Sequence, residues 1–214
     1  HQFLKNIIGT FAHPEQIFVF PEFLQTLPFE ELRSGFAEML KHGLITDEKH
    51  WTDLISIEEL TPEHVFPFIE KSMKIKQNVV EQDFTEQNIR KTLNFGHTIG
   101  HALESLFLLK GKPIMHGEAV ALGMICETKI SFLQDLISEE TSNEIVSNIQ
   151  KYYPRLDITA FSVEEIVNLM KNDKKNSVGN INFSLLTGIG RSTFNCSVSL
   201  ENIKTSLLYY QNLA

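Results

Sequence analysis

Residues 90–104 constrain this chain more than any other stretch of its sequence. They combine an arginine, an asparagine, two histidines and two glycines with an apolar pattern that predicts a buried helix. With about 3.6 residues per helical turn, Asn94, His97 and His101 share one face, and Arg90 lies one turn earlier on the same side. This density of polar groups predicts a functional site within an otherwise apolar helix.

Two glycines in the same stretch, Gly96 and Gly100, lie one turn apart and leave a strip without side chains beside that face. Glycine in a helix interior costs about 0.8–1.0 kcal/mol relative to alanine, so we expect another segment to pack closely against the strip. His97 and His101 alone leave two interpretations open. The helix is either a packed core element whose imidazoles hydrogen-bond to carbonyl groups, or part of a functional site.

A third histidine, His116, begins the next apolar helical pattern. Three histidines on two neighbouring helices can converge on one cation. Imidazole is the usual ligand of a borderline cation such as zinc, and a catalytic zinc site holds about three protein ligands and an open position. A carboxylate would be a natural partner, and Glu38 supplies one upstream, one turn before Lys41 in a predicted buried helix. The residues therefore predict a metal site, with the three histidines as one candidate ligand set.

Motifs from five parts of the chain, in the same order, closely resemble the 3-dehydroquinate synthase family. They are Gly-Phe-Ala-Glu38-x-x-Lys41-x-Gly, Ile-Lys76-x-x-Val-Val-x-x-Asp83, Arg90-x-x-Leu-Asn94-Phe-Gly-His97-Thr-x-Gly-His101-Ala-x-Glu104, His116-Gly-Glu-Ala-Val and Asp173-Lys174-Lys175. The resemblance implies a mainly α, multi-helix C-terminal domain with one small β-hairpin. It also implies that residues 1–27 are the tail of an N-terminal NAD-binding domain and its junction. Residues 28–214 would then form the helical zinc- and substrate-binding domain, a fragment that is inactive alone.

The resemblance implies roles for the residues at matching positions. Glu38, His97 and His116 would bind Zn2+ or Co2+, which assigns His101 to the substrate instead of the metal. The groups implied to bind and orient the substrate during catalysis are Lys41, Lys76, Arg90, Asn94, His101 and Lys175, with Asn6 as a further substrate contact and Lys174 as the alternative to Lys175. The residues implied to contact NAD+ are Lys5, Phe23 and Thr26.

The reaction implied by the resemblance converts 3-deoxy-D-arabino-heptulosonate 7-phosphate, a phosphorylated sugar acid, into 3-dehydroquinate and phosphate. It proceeds by NAD-dependent transient oxidation, phosphate elimination, re-reduction and aldol closure, so the enzyme is a carbon–oxygen lyase. The step belongs to the shikimate pathway, which leads to chorismate and the aromatic amino acids, and the family forms homodimers. Three alternatives stay open: a related sugar phosphate cyclase, a metal-dependent polyol dehydrogenase, and a non-enzymatic helical zinc module.

Composition excludes several other classes of protein. The chain has 19 basic and 27 acidic residues, a net charge of −8, and no basic run, so nucleic acid is not an expected partner. Cations clustered at one site still allow an acidic protein to bind an anion. The two cysteines, Cys126 and Cys196, do not form a disulfide framework, which fits a reducing cytoplasm. No stretch of about 18 apolar residues and no export pattern occurs, so we expect no membrane association.

Hydrophobic periodicity and capping residues predict a helical bundle. Helices are expected at 29–44, 47–57, 62–82, 88–110, 116–136, 138–152, 163–172 and 200–213. Residues 180–186 and 192–197 predict a hairpin, and residues 16–20 predict a buried strand whose partners lie elsewhere. Lys41 and Lys76 lie among apolar residues, so we do not expect them to be ordinary surface lysines. The remaining histidines, His13, His42, His50 and His64, are predicted to be surface or capping residues, and Trp51 to be core.

Overall fold

The computed structural model of the protein describes residue 12, residues 14–171 and residues 181–213. Within these ranges the chain forms a set of helices and one small sheet. The α-helices are α1 (Phe29–Thr46), α2 (Glu48–Ile55), α3 (Pro62–Gln82), α4 (His97–Leu109), α5 (His116–Leu133), α6 (Glu139–Tyr152), α7 (Val163–Lys171) and α8 (Leu200–Gln211). Strands β1 (Asn182–Gly188) and β2 (Arg191–Ser197) form an antiparallel hairpin, and short 3-10 helices cover Pro21–Thr26 and Ile89–Asn94. The predicted mainly α class with one hairpin is confirmed.

Helix α5 lies at the centre of the fold. Almost every residue from Gly117 to Ser131 is buried, as expected for a helix that is apolar around its whole circumference. It packs against α1, α4, α6, α8 and the first strand of the hairpin. Because so many elements contact it, α5 sets the relative positions of the helices around it.

Helices α4 and α5 approach closely where small residues face each other. A Cβ atom added to Gly123 would overlap the carbonyl oxygen of Gly96, and one added to Gly100 would lie 2.7 Å from the carbonyl oxygen of Ala119. A side chain at Gly123 or Gly100 would therefore push the two helices apart. The expectation that another segment packs against Gly96 and Gly100 is confirmed, and that segment is α5.

The predicted continuous helix over residues 88–110 is wrong. The structure has a 3-10 helix that ends at Asn94 and a separate helix, α4, that begins at His97. Gly96 separates them in the left-handed conformation, with a φ of 79°, which residues with a side chain rarely adopt. His97 and His101 therefore share a face of α4, whereas Arg90 and Asn94 belong to the preceding element and do not extend that face.

The predicted strand at residues 16–20, whose partners are expected to lie elsewhere, stays a prediction. These residues pair with no strand in the part of the chain that the structure describes, and their apolar side chains are exposed, with Phe18 at 73%. A strand buries its side chains only within a sheet, and neither β1 nor β2 pairs with this segment.

Two of the histidines that were predicted to lie at the surface are buried. His42 is 5% exposed and faces α3, where its Nδ1 lies 2.7 Å from Oγ of Ser72. His50 is fully buried and packs beside the ring of Phe68, with the ring centroids 6.5 Å apart. The prediction failed because both histidines face α3, and the position of α3 depends on the tertiary fold.

The other histidine predictions have different outcomes. His64 is exposed, so its surface position is confirmed, and its backbone N–H donates a hydrogen bond to Oγ1 of Thr61, the residue that caps α3. Trp51 is a buried core residue, as predicted. His13 lies outside the described residues.

None of the helices in the described ranges combines the length and the apolar character needed to cross a membrane.

Candidate metal centre

Four side chains predicted to act at the site come together from three helices. Glu38 lies on α1, His97 and His101 on the first turns of α4, and His116 is the first residue of α5. The three histidines bring one ring nitrogen each to within 4.8 Å of one another. Their ring centroids lie 5.1–5.7 Å apart. The helix starts at His97 and His116 thus direct three imidazoles into one space.

Glu38 connects this histidine cluster to a buried lysine. Its Oε1 lies 3.2 Å from Nε2 of His97 and 3.4 Å from Nε2 of His116. Its Oε2 lies 2.5 Å from Nζ of Lys41, which is buried as expected. Burial alone would raise the pKa of Glu38, but its contacts with His116 and His97 and the charge of Lys41 outweigh that effect. The pKa of Glu38 is therefore held well below its ordinary range, and the carboxylate is ionised.

The second ring nitrogen of each of two histidines has its own acceptor. Nδ1 of His97 lies 3.0 Å from the carbonyl oxygen of Phe95, and Nδ1 of His116 lies 3.2 Å from Oε2 of Glu104. Because a carbonyl group and a carboxylate can only accept, Nδ1 carries the proton in both rings. In the neutral imidazole the lone pair is then on Nε2, the atom that faces Glu38.

The charge state of His97 agrees with this tautomer. Burial, together with the positive charge of Lys41, lowers the pKa of His97 to about 4, so the ring is neutral at neutral pH. With Nδ1 protonated, a neutral His97 directs the lone pair of Nε2 at the ionised carboxylate of Glu38, so the two groups attract each other only when a cation lies between them, either a second ring proton or a metal ion. Histidine ligands of metals commonly donate the other ring N–H to a carbonyl or a carboxylate, as His97 and His116 do.

The donor set fits a borderline divalent cation such as Zn2+ or Co2+. Imidazole nitrogens with one carboxylate oxygen are common zinc ligands. The geometry accommodates both ligand sets of the sequence analysis, either the three histidines or Glu38 with His97 and His116. Glu38 favours the second set, because its Oε1 faces the Nε2 atoms of both His97 and His116.

Contacts between α1 and α5 hold the start of α5 in place. Nη2 of Arg33 lies 2.5 Å from Oε1 of Glu118, and Oε2 of Glu118 accepts a hydrogen bond from the backbone N–H of Met115 at 3.0 Å. The backbone N–H of Gly117 donates to Oγ of Ser34 at 2.9 Å. These contacts fix the first turn of α5, and with it His116, against the helix that carries Glu38.

A loop built around Asp83 precedes the histidine helix. The buried carboxylate of Asp83 accepts hydrogen bonds from the backbone N–H groups of Gln87 at 2.9 Å, Asn88 at 2.6 Å and Arg90 at 3.0 Å. Burial would raise the pKa of Asp83, but these three donors lower it below its ordinary value. Nη1 of Arg90 donates to the carbonyl oxygen of Phe84 at 2.6 Å. Asp83 thus fixes the backbone that presents Arg90.

Two predicted substrate groups are placed by this loop and by α3. Nδ2 of Asn94 lies 2.7 Å from Oε1 of Glu86, a residue in the left-handed conformation with a φ of 59°. Lys76 is exposed on α3, and its expected role at the site stays a prediction. Lys76 lies one turn after Ser72, and its charge contributes to lowering the pKa of His42, after burial and Lys41.

The predicted cofactor contacts are only partly described. Phe23 and Thr26 lie on the exposed 3-10 helix Pro21–Thr26, where Oγ1 of Thr26 donates to the carbonyl oxygen of Phe23 at 3.3 Å. This element packs against α3. The remaining predicted site residues, Lys5, Asn6, Lys174 and Lys175, lie outside the described residues.

Glu104 is a site residue to which the sequence analysis gave no role. It lies one turn after His101 and two turns after His97 on α4, so it shares their face. A carboxylate at that spacing from two candidate ligands is the signal that could have identified it. Its contact is with the third histidine, His116, across the helix interface.

Solved structures with the same fold include two sugar phosphate cyclases. One is a 2-epi-5-epi-valiolone synthase from Streptomyces hygroscopicus with NAD+ and Zn2+ bound, with a TM-score of 0.81 and 21% identity over 98% of this chain and 59% of that one. The other is a 2-deoxy-scyllo-inosose synthase in complex with carbaglucose-6-phosphate, NAD+ and Co2+, with a TM-score of 0.72 and 28% identity over 86% of this chain and 54% of that one. At 21% identity the first likeness shows the fold alone.

Two curated relatives have a higher sequence identity to this chain than the two solved structures have. A 3-dehydroquinate synthase from Parabacteroides distasonis is 41% identical over 97% of this chain, and one from Bacillus cereus is 40% identical over 89%. The chain spans 60% and 53% of the lengths of these two relatives. The family model of the 3-dehydroquinate synthase C-terminal domain matches residues 35–176. The chain therefore belongs to the 3-dehydroquinate synthase family, through the C-terminal domain of that family.

Proposed function

We propose that this chain is the metal- and substrate-binding part of a 3-dehydroquinate synthase, which converts 3-deoxy-D-arabino-heptulosonate 7-phosphate into 3-dehydroquinate and phosphate. The observation that carries the proposal is the position of Glu38, whose two carboxylate oxygens contact His97, His116 and the buried Lys41. The named relatives at about 40% identity support this reaction over others. The enzyme would serve the shikimate pathway to chorismate and the aromatic amino acids, as a cytoplasmic homodimer.

The proposed ligands of Zn2+ or Co2+ are Glu38, His97 and His116. When bound, the metal supplies a Lewis acid that polarises a substrate oxygen, and NAD+ accepts and returns a hydride. The chain's own contribution is to hold the ligands in place. Phe95 and Glu104 fix the tautomers of two imidazoles, and Lys41 balances the charge of the ligand carboxylate.

The substrate carries a carboxylate and a phosphate, and both need fixed cations. We assign this task to Lys41, Lys76, Arg90 and Lys175. Arg90 offers a planar donor fork on a backbone fixed by Asp83, whereas a lysine offers a point charge. His101 and Asn94 would orient hydroxyl groups of the substrate, together with Asn6, and the residues proposed to contact NAD+ are Lys5, Phe23 and Thr26.

The chain spans 60% and 53% of the lengths of two relatives. We propose that residues 1–27 are the tail of an NAD-binding domain and that residues 28–214 form the metal- and substrate-binding domain. Alone, the chain would bind the metal without catalysing turnover. The exposed apolar side chains at residues 17–20 support this division, because they pair with no strand of the described part.

A related sugar phosphate cyclase is the second candidate. The likeness to 2-deoxy-scyllo-inosose synthase, at a TM-score of 0.72 and 28% identity, favours it, because that structure contains a phosphorylated sugar analogue. The two candidates differ in the sugar phosphate that they would take. The products therefore distinguish them.

The deciding experiment measures phosphate release by the longest native chain that contains this sequence. The substrates are the heptulosonate 7-phosphate and, in parallel, glucose 6-phosphate, each with NAD+ and Zn2+ and with either omitted. We expect release only from the heptulosonate, only with both cofactors, and with 3-dehydroquinate as the product. Release from glucose 6-phosphate but not from the heptulosonate 7-phosphate would assign a related sugar phosphate cyclase. Metal binding without phosphate release from either substrate would favour the non-enzymatic helical zinc module.

A further inference from the structure

Helix α4 begins without a side-chain cap of its own. Its N-cap residue is Gly96, which has no side chain to accept the unpaired N–H groups of the first turn. The acceptor comes from α5, where the carboxylate of Glu127 receives the N–H of Gly96 on Oε2 at 2.6 Å and the N–H of Ile99 on Oε1 at 3.1 Å. The first turn of α4 is thus capped by a neighbouring helix.

This carboxylate is fully buried in the apolar centre of the domain. Burying a carboxylate is unfavourable unless hydrogen bonds and opposite charge compensate. Here the compensation includes charge-assisted hydrogen bonds from two backbone N–H groups and the positive end of the α4 dipole. An apolar side chain would fill the space of Glu127, but it would leave the N–H groups of Gly96 and Ile99 buried without these acceptors.

The two anchored amides flank a proposed metal ligand. His97 lies directly after Gly96 and two residues before Ile99, and its ring donates to the carbonyl oxygen of Phe95. The backbone on both sides of His97 is therefore fixed by Glu127. One turn before Glu127 on α5, Gly123 lies against the carbonyl oxygen of Gly96, so the helices meet at the position where the carboxylate reaches across.

The same helix, α5, begins with His116, which Arg33, Ser34 and Glu118 hold against α1. One end of α5 thus carries a ligand, and Glu127, three turns later, fixes the backbone of another. We propose that Glu127 is a positioning residue that sets His97 relative to His116 by anchoring the first turn of α4 to α5. This inference rests on the proposed metal centre and adds to it a residue that does not touch the metal.

The test compares Glu127→Gln with the wild-type chain. Glutamine keeps the size of the side chain but replaces one acceptor oxygen with an NH2 group, which meets an N–H instead of accepting from it. We expect metal affinity, measured by competition with a chromogenic chelator, to fall about 10- to 100-fold, the range for groups that support metal ligands. The visible spectrum of the Co2+-loaded protein should change, and the amides of Gly96 and Ile99 should exchange faster in the metal-free protein.

The matched control is Tyr152→Phe. The hydroxyl group of Tyr152 is buried on α6 and donates to the carbonyl oxygens of Leu54, in the last turn of α2, and of Ile57, just after it, so its loss also removes buried hydrogen bonds. We expect this variant to lower thermal stability while it leaves Co2+ absorption and metal affinity unchanged. A general loss of stability would affect both variants alike, whereas a positioning role affects only Glu127→Gln.

A second variant, Glu127→Asp, keeps the charge but shortens the reach, and it serves if Glu127→Gln does not fold. We expect an affinity below that of the wild type and faster exchange at Gly96 and Ile99. Wild-type affinity, spectrum and exchange in either folded variant would overturn the inference. A wild-type chain that binds no metal would refute the metal centre instead, and the exchange rates of the metal-free proteins would still show whether Glu127 anchors α4.

Discussion

Oε2 of Glu104 lies 3.2 Å from Nδ1 of His116, across the interface between α4 and α5. This contact fixes the tautomer of His116 and directs its Nε2 toward Glu38. It also joins the middle of one ligand-bearing helix to the start of another. The chemistry of the centre is therefore sensitive to side chains that lie behind the ligands.

We expect Glu104→Gln to weaken metal binding about 10- to 100-fold without unfolding the protein, because the amide no longer offers two equivalent acceptor oxygens to His116. The measurement is metal affinity by chelator competition. Glu70→Gln on the exposed face of α3 is the control, since Glu70 is exposed and pairs with Lys74 on the same helix. Equal affinities in Glu104→Gln and the wild type would show that Glu104 does not support His116.

His97→Ala should lose bound metal and activity together, because it removes a proposed ligand. Arg90→Ala should keep the metal at full stoichiometry and raise KM for the phosphorylated substrate by at least about 10-fold, since it removes a cation and a donor fork. The measurements are metal content per chain and steady-state kinetics of the longest native chain. Full metal stoichiometry in His97→Ala would remove that residue from the ligand set.

Asp83→Asn tests whether the loop backbone places Arg90. The substitution removes one of two acceptor oxygens, so at least one of three backbone N–H groups loses its acceptor, at a cost of about 1–3 kcal/mol in unfolding free energy. We expect the KM for the phosphorylated substrate to rise, as in Arg90→Ala, while the metal stays bound. The control is Asp53→Asn, which removes the charge that pairs with the exposed Lys49. It should change neither the unfolding free energy nor KM. An unchanged KM in folded Asp83→Asn would contradict this role.

The stability of the metal-free chain should depend on pH through His42. Burial, followed by the charge of Lys41, lowers the pKa of His42 to about 3, whereas the ordinary value is 6.5. Between these values the unfolded chain binds more protons than the folded one, so unfolding free energy rises with pH. The contribution is fully present above about pH 6.5 and is lost as the pH falls toward 3.

Urea denaturation at a series of pH values checks this expectation. His42→Phe removes the titrating ring, so its unfolding free energy should change less between pH 3 and 6.5 than that of the wild type. His64→Phe is the control, because His64 is exposed on α3. Identical pH profiles for the wild type and His42→Phe would show that another group dominates in this range.

The sequence predicted most helix bounds because their signals are local. Thr61 and Pro62 mark the start of α3, and the apolar periodicity of α5 predicts its length. The break before α4 was missed because it depends on the left-handed conformation of Gly96, which glycine permits but does not require. The burial of His42 and His50 was missed because it is set by α3 packing against them.

The ligand candidates could be predicted because their residue types and spacing are unusual. Glu38, His97 and His116 come from separate motifs, and the structure brings them together. Their supporting groups were harder to find, because the sequence does not show which helices are neighbours. Glu127 is a single carboxylate among apolar residues, and only the approach of α4 to α5 shows which N–H groups it receives.

Gly123 has a consequence for how the family can vary. A Cβ atom at this position would overlap the carbonyl oxygen of Gly96, next to the turn that starts α4. Any larger residue there would displace His97 and also loosen the core. Both the packing of the core and the position of a metal ligand therefore require glycine at position 123. Substitutions should therefore be tolerated as poorly at Gly123, which is not a proposed ligand, as at the proposed ligands themselves. Activity measured across a library of random substitutions would not distinguish this packing position from the ligand positions.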